Sequence, residues 1–359
     1  MSIFEKRPVL RWVAPLAVVA VVGGTGVLAT TASADPTLPP KSAEQILVDV
    51  QNAHVDGLSG TVVQKAELGL PDLSSAGGAT SELTSLLSGN HTLKVWTAGP
   101  HQSRVAVLDK LAETDLIVNG TNVWTYSSET NTATHRTLPQ VGGMDHSKPA
   151  GWPNSPEEAA AKVLDAVGPS TTVTTDASKT VAGRPAYELV LAPRDARALI
   201  GQVRIAVDSE TSVPLEVQAL TNDGTTVLDV GYTDVTFGAP DAAQFNWTAP
   251  AGATVTEAGT PAAPSSGDRK AAHEKMAQLK SDTTTFGEGW TSVVVTKLPA
   301  GATSSGQLAD VLQSLPKTSG TWGSGYLFAG TAFSAVLTED GRLAVGAVAP
   351  DLVYAALEK

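Results

Sequence analysis

The residues able to do chemistry are few and scattered. The six histidines, His54, His91, His101, His135, His146 and His273, form no H-E-x-x-H pattern and no other tight ligand spacing, so they read as surface or loop residues. Cysteine is absent, which excludes disulfides, thiolate metal sites, a Cys nucleophile and a lipid-modified N-terminal Cys. The sequence Gly323-Ser324-Gly325 lacks the G-x-S-x-G spacing of a nucleophile elbow, and neither a P-loop nor a G-x-G-x-x-G run occurs. Asp208, Glu210 and Glu216 lie close together but lack the turn glycine of a calcium loop, and read as a solvated hairpin end. Lys+Arg number 24 against Asp+Glu 36, a net charge of −12, which argues against nucleic acid as a partner. The expectation is a protein that is not an enzyme and uses no metal and no cofactor.

Hydrophobic residues make up 42% of the 359 residues, enough for a sizeable core. The N-terminus carries Lys6, Arg7 and Arg11, then an apolar run from Trp12 to Leu28, then Ala32-Ser33-Ala34. That is the layout of an export signal over residues 1–34; the alternative is an uncleaved membrane anchor. Either way the remainder is expected to work outside the cytoplasm, in the cell envelope or secreted.

Beyond a short Pro-rich linker, Ser42 with Gln45 has capping-box spacing, and Ile46, Leu47, Val50 and Ala53 follow at helical spacing up to Asp56-Gly57. A strand is predicted over 60–65, and a short helix near 82–87. Alternation then predicts strands over 91–97, 104–108, 115–118 and 122–126, the last two joined at Asn119-Gly120. A helix is predicted from Ser155. A second run of strands follows, with Leu189 and Leu191, Ile205 and Val207, Leu215 and Val217, and Leu228 and Val230 alternating in register. Residues 258–268 read as a linker, and 269–359 as a smaller α+β block. In that block helices are predicted over 271–279, around Leu308–Leu315 and from Pro350, and a hairpin is predicted at Glu339-Asp340-Gly341. The predicted fold class is α+β, an antiparallel sheet with one apolar face that needs a cover.

Several segments carry a family resemblance. Gly57-Leu58-Ser59-Gly60-Thr61-Val62-Val63-Gln64, the stretch Leu116 to Tyr126, Gly238 to Phe245 and Pro250 to Val255 resemble the LolA-type lipoprotein carriers and the N-terminal domain of RseB/MucB-type regulators. The resemblance covers about residues 42–257. It implies a strongly curved antiparallel sheet, a half-open barrel with covering helices, whose cavity binds a lipid, a lipoprotein acyl chain or another amphiphile. Under that resemblance the apolar cavity would be lined by Leu93, Val95, Val105, Val107, Ile117, Trp124, Tyr126, Leu189, Leu191, Ile205, Val207, Leu215, Val217 and Val230. The same residues could instead be a filled core. Thr97-Ala98-Gly99-Pro100 lacks the basic residue of the carriers, which sets this chain apart from their lid mechanism. The Ala-, Thr- and Gly-rich composition looks actinobacterial, so delivery to an outer membrane is not implied. The block 269–359 is reminiscent of the second domain of RseB-type proteins, and implies as the alternative a sensor that binds a membrane-anchored regulatory protein such as an anti-sigma factor.

Overall fold

The computed structural model describes residues 38–69, 89–109, 112–138, 168–259, 281–298, 312 and 315–359. The export segment, the helices predicted near 82, 155 and 271, nearly all of the one at 308–315, and the 258–268 linker beyond Gly259 lie outside those residues. Among the described residues no helix is long and apolar enough to cross a membrane.

Helix α1 (Ala43–Asn52) starts where the capping signal put it: the Ser42 hydroxyl accepts from the Gln45 backbone N–H at 3.2 Å. It ends at Asn52, before the predicted Asp56-Gly57 stop, because Gly57 already belongs to the first strand. Twelve strands form one sheet: β1 (Gly57–Ala66), β2 (Gly89–Ala98), β3 (Gln102–Leu108), β4 (Glu113–Asn119), β5 (Asn122–Ser127), β6 (Thr132–Thr137), β7 (Thr171–Val181), β8 (Arg184–Pro193), β9 (Ile200–Asp208), β10 (Pro214–Thr221), β11 (Thr226–Phe237) and β12 (Thr254–Ala258). Their order is β12-β6-β5-β4-β3-β2-β1-β11-β10-β9-β8-β7. The two predicted runs of strands therefore meet through β1 and β11. Every pairing is antiparallel except β12 with β6. The β4–β5 turn has Gly120 at φ +61°, the sign that tight hairpin turns need.

The sheet is not closed, since β12 and β7 are its two edges. It is strongly curled. Val181 on β7 and Ala186 on β8 pack with Leu215 and with Tyr232, Val235 and Phe237, although β11 stands four places from β7. The Arg184 guanidinium lies 4.8 Å over the Phe237 ring. Lys179 on β7 reaches Glu216 on β10 at 2.8 Å, where a flat sheet would hold the two backbones about 14 Å apart. Register shifts within β7–β8, β9–β10 and β1–β11 supply the bends.

A second sheet has six strands in the order β13 (Thr283–Phe286), β14 (Val293–Lys297), β18 (Arg342–Gly346), β17 (Ser334–Thr338), β16 (Gly323–Ala329) and β15 (Lys317–Gly320). Helix α2 (Pro350–Leu357) opens on the predicted proline and buries Val353, Ala356 and Leu357 against Val293, Val336, Ala344 and Val348. The predicted β17–β18 hairpin is present, with Gly341 at φ +87°.

Asp208 closes the β8–β9 end of the curl. Its fully buried carboxylate accepts from Arg184 Nε at 2.6 Å and from Arg184 Nη2 at 3.0 Å, and from the Thr211 N–H and hydroxyl, each at 2.8 Å. Burial alone would raise this carboxyl, but the Arg184 and Thr211 donors outweigh it and hold the group below the usual carboxylate range. A depressed carboxyl contributes stability that is present above the unfolded value, about pH 4, and is lost as pH falls through the folded one. Substituting Arg184→Met is expected to lower the unfolding free energy at neutral pH by about 1–3 kcal/mol. It should also flatten the acid limb below pH ~4; denaturant titrations at stepped pH check both.

Candidate functional site

Residues paired across neighbouring strands share a face, so the register sorts the large sheet into two surfaces. One row runs Leu189, Ile205, Val217, Val230, Gln64, His91. On one side of it lies the row Leu191, Val203, Ala219, Leu228, Ala66. On its other side Tyr187 pairs with Val207, and Tyr232 continues into Val62, Leu93, Val107 and Thr114. Val95, Val105, Leu116 and Thr125 form the next row on the same face.

No Asp or Glu stands at any paired position of this face. The strand carboxylates of the large sheet (Glu113, Asp115, Asp176, Glu188, Asp208, Glu216, Asp229, Asp234 and Glu257) all fall on the opposite face. Several of them meet cations there. Arg104 meets Asp115 at 2.8 Å and Glu113 at 3.6 Å; Lys179 meets Glu216 at 2.8 Å and Glu188 at 3.6 Å. Burial pushes the Glu113 and Glu216 carboxyls up, with Asp115 adding repulsion at Glu113 and Asp229 and Glu188 adding it at Glu216. On the apolar face the only resolved shift is at Tyr232, which burial pushes up to about 12.

The apolar face is not uniformly covered. Helix α1 lays Ile46 and Val50 on Tyr187, Val207 and Ile205. Val62, Leu93, Val95, Val217 and Val230 are buried, Val105 and Val107 are half-buried, and Leu116 is 45% exposed. The face therefore grades from buried at β1, β2 and β11 to open at β4. At one end it meets the second sheet. Val203 and Ala219 pack with Ile200 and Val227, and this cluster also holds Ala332, Trp290, Phe333 and Ala347.

Of the residues the sequence singles out for a cavity, the structure brings Leu93, Val95, Val105, Val107, Leu189, Leu191, Ile205, Val207, Val217 and Val230 onto this one face. Leu215 sits in the β10 bulge, in the cluster with Val181, Ala186 and Ala206. Ile117, Trp124 and Tyr126 are on the carboxylate-bearing face, because Ile117 pairs with Trp124 and Asp115 with Tyr126. A segment after β11 covers them. The Trp247 ring centroid lies 5.2 Å from Trp124 and 5.4 Å from Tyr126, and Asn119 donates to the Asn246 side chain at 3.0 Å. His135 stacks on Trp124 at 4.3 Å and bonds Glu257 at 2.8 Å, pinning the parallel strand β12. Val62, Tyr187, Val203 and Tyr232 belong to the apolar face and were not in the predicted set. For Tyr232 the alternation with Leu228 and Val230 held the signal; Val62 beside Val63 offered none.

At the edge of this face, where the two sheets meet, a cleft of about 480 Å³ opens, lined by Ala66, Glu67, Leu68, Gly69, Gly89, Thr225 and Thr331. Among the described residues no group of His, Asp and Glu is placed to hold a metal ion.

No family model matches the sequence, and no curated protein matches it. Several solved structures are similar in fold. The Pseudomonas aeruginosa MucA/MucB complex has 16% identity and a TM-score of 0.43, with 88% of this chain and 96% of that one covered. A conserved uncharacterised protein from Thermus thermophilus has 14% identity and a TM-score of 0.35, covering 61% and 100%. A LolA-superfamily protein from Nitrosomonas europaea has 12% identity and a TM-score of 0.23, covering 57% and 98%. The chain is thus similar to structures of the two groups that its sequence resembles.

Trp247→Ala is expected to lower stability by about 1–3 kcal/mol through the lost Trp124 and Tyr126 packing, a loss that thermal melts check.

Proposed function

We propose that this is a non-enzymatic protein of the cell envelope that holds the hydrocarbon chain of a lipid, an acylated lipoprotein or another amphiphile against the apolar face. One observation carries the reading: a chain with 36 acidic residues places none of them at the paired strand positions of one whole face of a twelve-stranded sheet. A carboxylate on that surface would have to be desolvated by an acyl chain, at several kcal/mol, whereas each buried methylene contributes about 0.8 kcal/mol. A carrier therefore needs no catalytic group, only a dry surface that grades to an open side, as this one does toward Leu116. The export-type pattern of the N-terminus supports work outside the cytoplasm, and the resemblance of residues 42–257 to lipoprotein carriers supports the same reading. The division into units at 258–268 is part of it.

Substituting half-buried Ile205→Glu is expected to weaken binding of a fluorescent fatty acid at least tenfold, with an unchanged circular dichroism spectrum. Undiminished binding in the folded variant would refute the reading.

A second reading is a sensor that engages a membrane-anchored regulatory protein. It is favoured by a strip on the second sheet, on the face away from α2, where Val294, Val345, Ala335 and Phe328 pair in one row and Val294 is 40% exposed. Under it, Val294→Glu should remove a protein captured from envelope extracts by the wild type while leaving fatty-acid binding intact. Capture that survives Val294→Glu counts against this strip.

A further inference from the structure

We infer that the cleft at the junction of the two sheets binds a primary ammonium group, held by the Glu67 carboxylate and the Thr225 and Thr331 hydroxyls. The inference stands on the cleft itself and goes beyond the proposed amphiphile-binding role.

The cleft is open space of about 480 Å³, walled by separate stretches of chain. Ala66 ends β1, and Glu67, Leu68 and Gly69 follow it; Gly89 opens β2. Thr225 lies in the turn before β11, and Thr331 in the turn between β16 and β17. Backbone bonds fix these stretches to one another. Ala66 pairs with Gly89, and the Glu67 N–H donates to the Val227 carbonyl at 2.9 Å. The Thr331 N–H donates to the Leu68 carbonyl at 3.2 Å. The second sheet is held alongside by the Leu199 N–H, which donates to the Ala347 carbonyl at 2.8 Å, and by the Trp290 indole, which donates to the Thr171 hydroxyl at 2.8 Å. The walls are therefore formed before any ligand arrives, which spares the cost of ordering them. At Gly89 the wall is bare backbone: a Cβ there would meet only the His91 Nε2, at 3.9 Å.

The chemistry of the lining favours a donor that carries positive charge. Glu67, Thr225 and Thr331 are all exposed to the cleft opening. Bonds from the Thr221 hydroxyl and from the Thr225 hydroxyl and N–H hold the Asp223 carboxyl below the usual carboxylate range. A hydroxyl has one proton, so the Thr225 oxygen that donates to Asp223 can only accept from a ligand. Among the described residues neither Lys nor Arg lines the cleft, and the whole chain carries a net charge of −12. An anion there would face a carboxylate with no compensating cation. A primary ammonium has three N–H donors and no acceptor, which matches one carboxylate and two hydroxyls. A quaternary ammonium would call for aromatic rings, and among the described residues none lines the cleft. Buried Ala66 and half-buried Leu68 give the carbons next to the nitrogen an apolar floor.

The test is isothermal titration of the full mature chain with n-hexylamine, n-hexanol and hexanoate, which share a chain and differ in the head, and with ethanolamine. Hexylamine should bind, and hexanol and hexanoate should bind at least severalfold more weakly. Glu67→Gln keeps the shape of an exposed side chain and should weaken hexylamine roughly fivefold. Thr225→Trp fills the cleft from an exposed position and should remove hexylamine binding, with an unchanged circular dichroism spectrum. Ethanolamine that binds as well as hexylamine supports the site with a free small amine as its ligand. A clear preference for hexylamine supports it with the amine head of an amphiphile. Hexanol or hexanoate binding as tightly as hexylamine overturns the assignment, as does the absence of saturable amine binding or undiminished binding in both folded variants. None of these results bears on the carrier reading, whose own test is Ile205→Glu.

Discussion

The constraint on which the structure depends is the separation of charge between the two faces of one sheet. A strand alternates its side chains, so nine carboxylates can all reach one face only if every register is right; a slip of one residue would carry an entire strand's acids to the apolar side. The bulges in β7, β10 and β11 therefore matter beyond the curl they produce. Each absorbs an extra residue and restores the alternation on its far side. Leu215 shows the local consequence, since it leaves the apolar row and joins the cluster beneath Tyr232 and Phe237.

Charge on the opposite face then shapes the sheet. Lys179 bridges Glu188 on the neighbouring strand and Glu216 two strands further on, over the small side chain of Ala206. Arg184 combines a bidentate grip on Asp208 with its position over the Phe237 ring. Pairs of this kind contribute modestly to stability when partly exposed, but removing one partner strands the other. Their value here is geometric: they hold strands three apart within side-chain reach. The curl is fastened by ion pairs on the carboxylate-bearing face; on the apolar face the ties hold the N-terminal segment instead, Tyr187 donating to the Pro39 carbonyl and Thr175 to the Lys41 carbonyl, each at 3.0 Å.

Much of this was legible in the sequence because it follows from periods of two and from local turn chemistry. Ser42, Asn119-Gly120, Asp340-Gly341 and Pro350 each mark the start or turn they were expected to mark. What the sequence hid is non-local. Alternation assigns residues to a face within one strand but does not say which faces of different strands coincide; Ile117, Trp124 and Tyr126 alternate as cleanly as Leu93 and Val95, yet pairing puts them on the other side. The Thr-rich strand β7 and the largely exposed strand β12 lack an apolar period and give no strand signal. The parallel pairing of β12 depends on His135 and Glu257, which are 122 residues apart.

The junction of the two sheets and the outer strip of the second meet in one ring pair. Phe333 faces the cluster with Val203 and Ala219, while Phe328, packed on it, lies in the row with Ala335, Val345 and Val294. Gly330 lets the two rings approach, because a Cβ there would stand 2.7 Å from Phe328 and from the Leu68 carbonyl. A carrier and a sensor are therefore not exclusive readings of this architecture. Ile205 lies beneath α1 on the apolar face of the large sheet and Val294 lies in the strip, while Phe328, packed on Phe333, stands between the two, so substitutions at Ile205 and Val294 are the references against which a change at Phe328 is read.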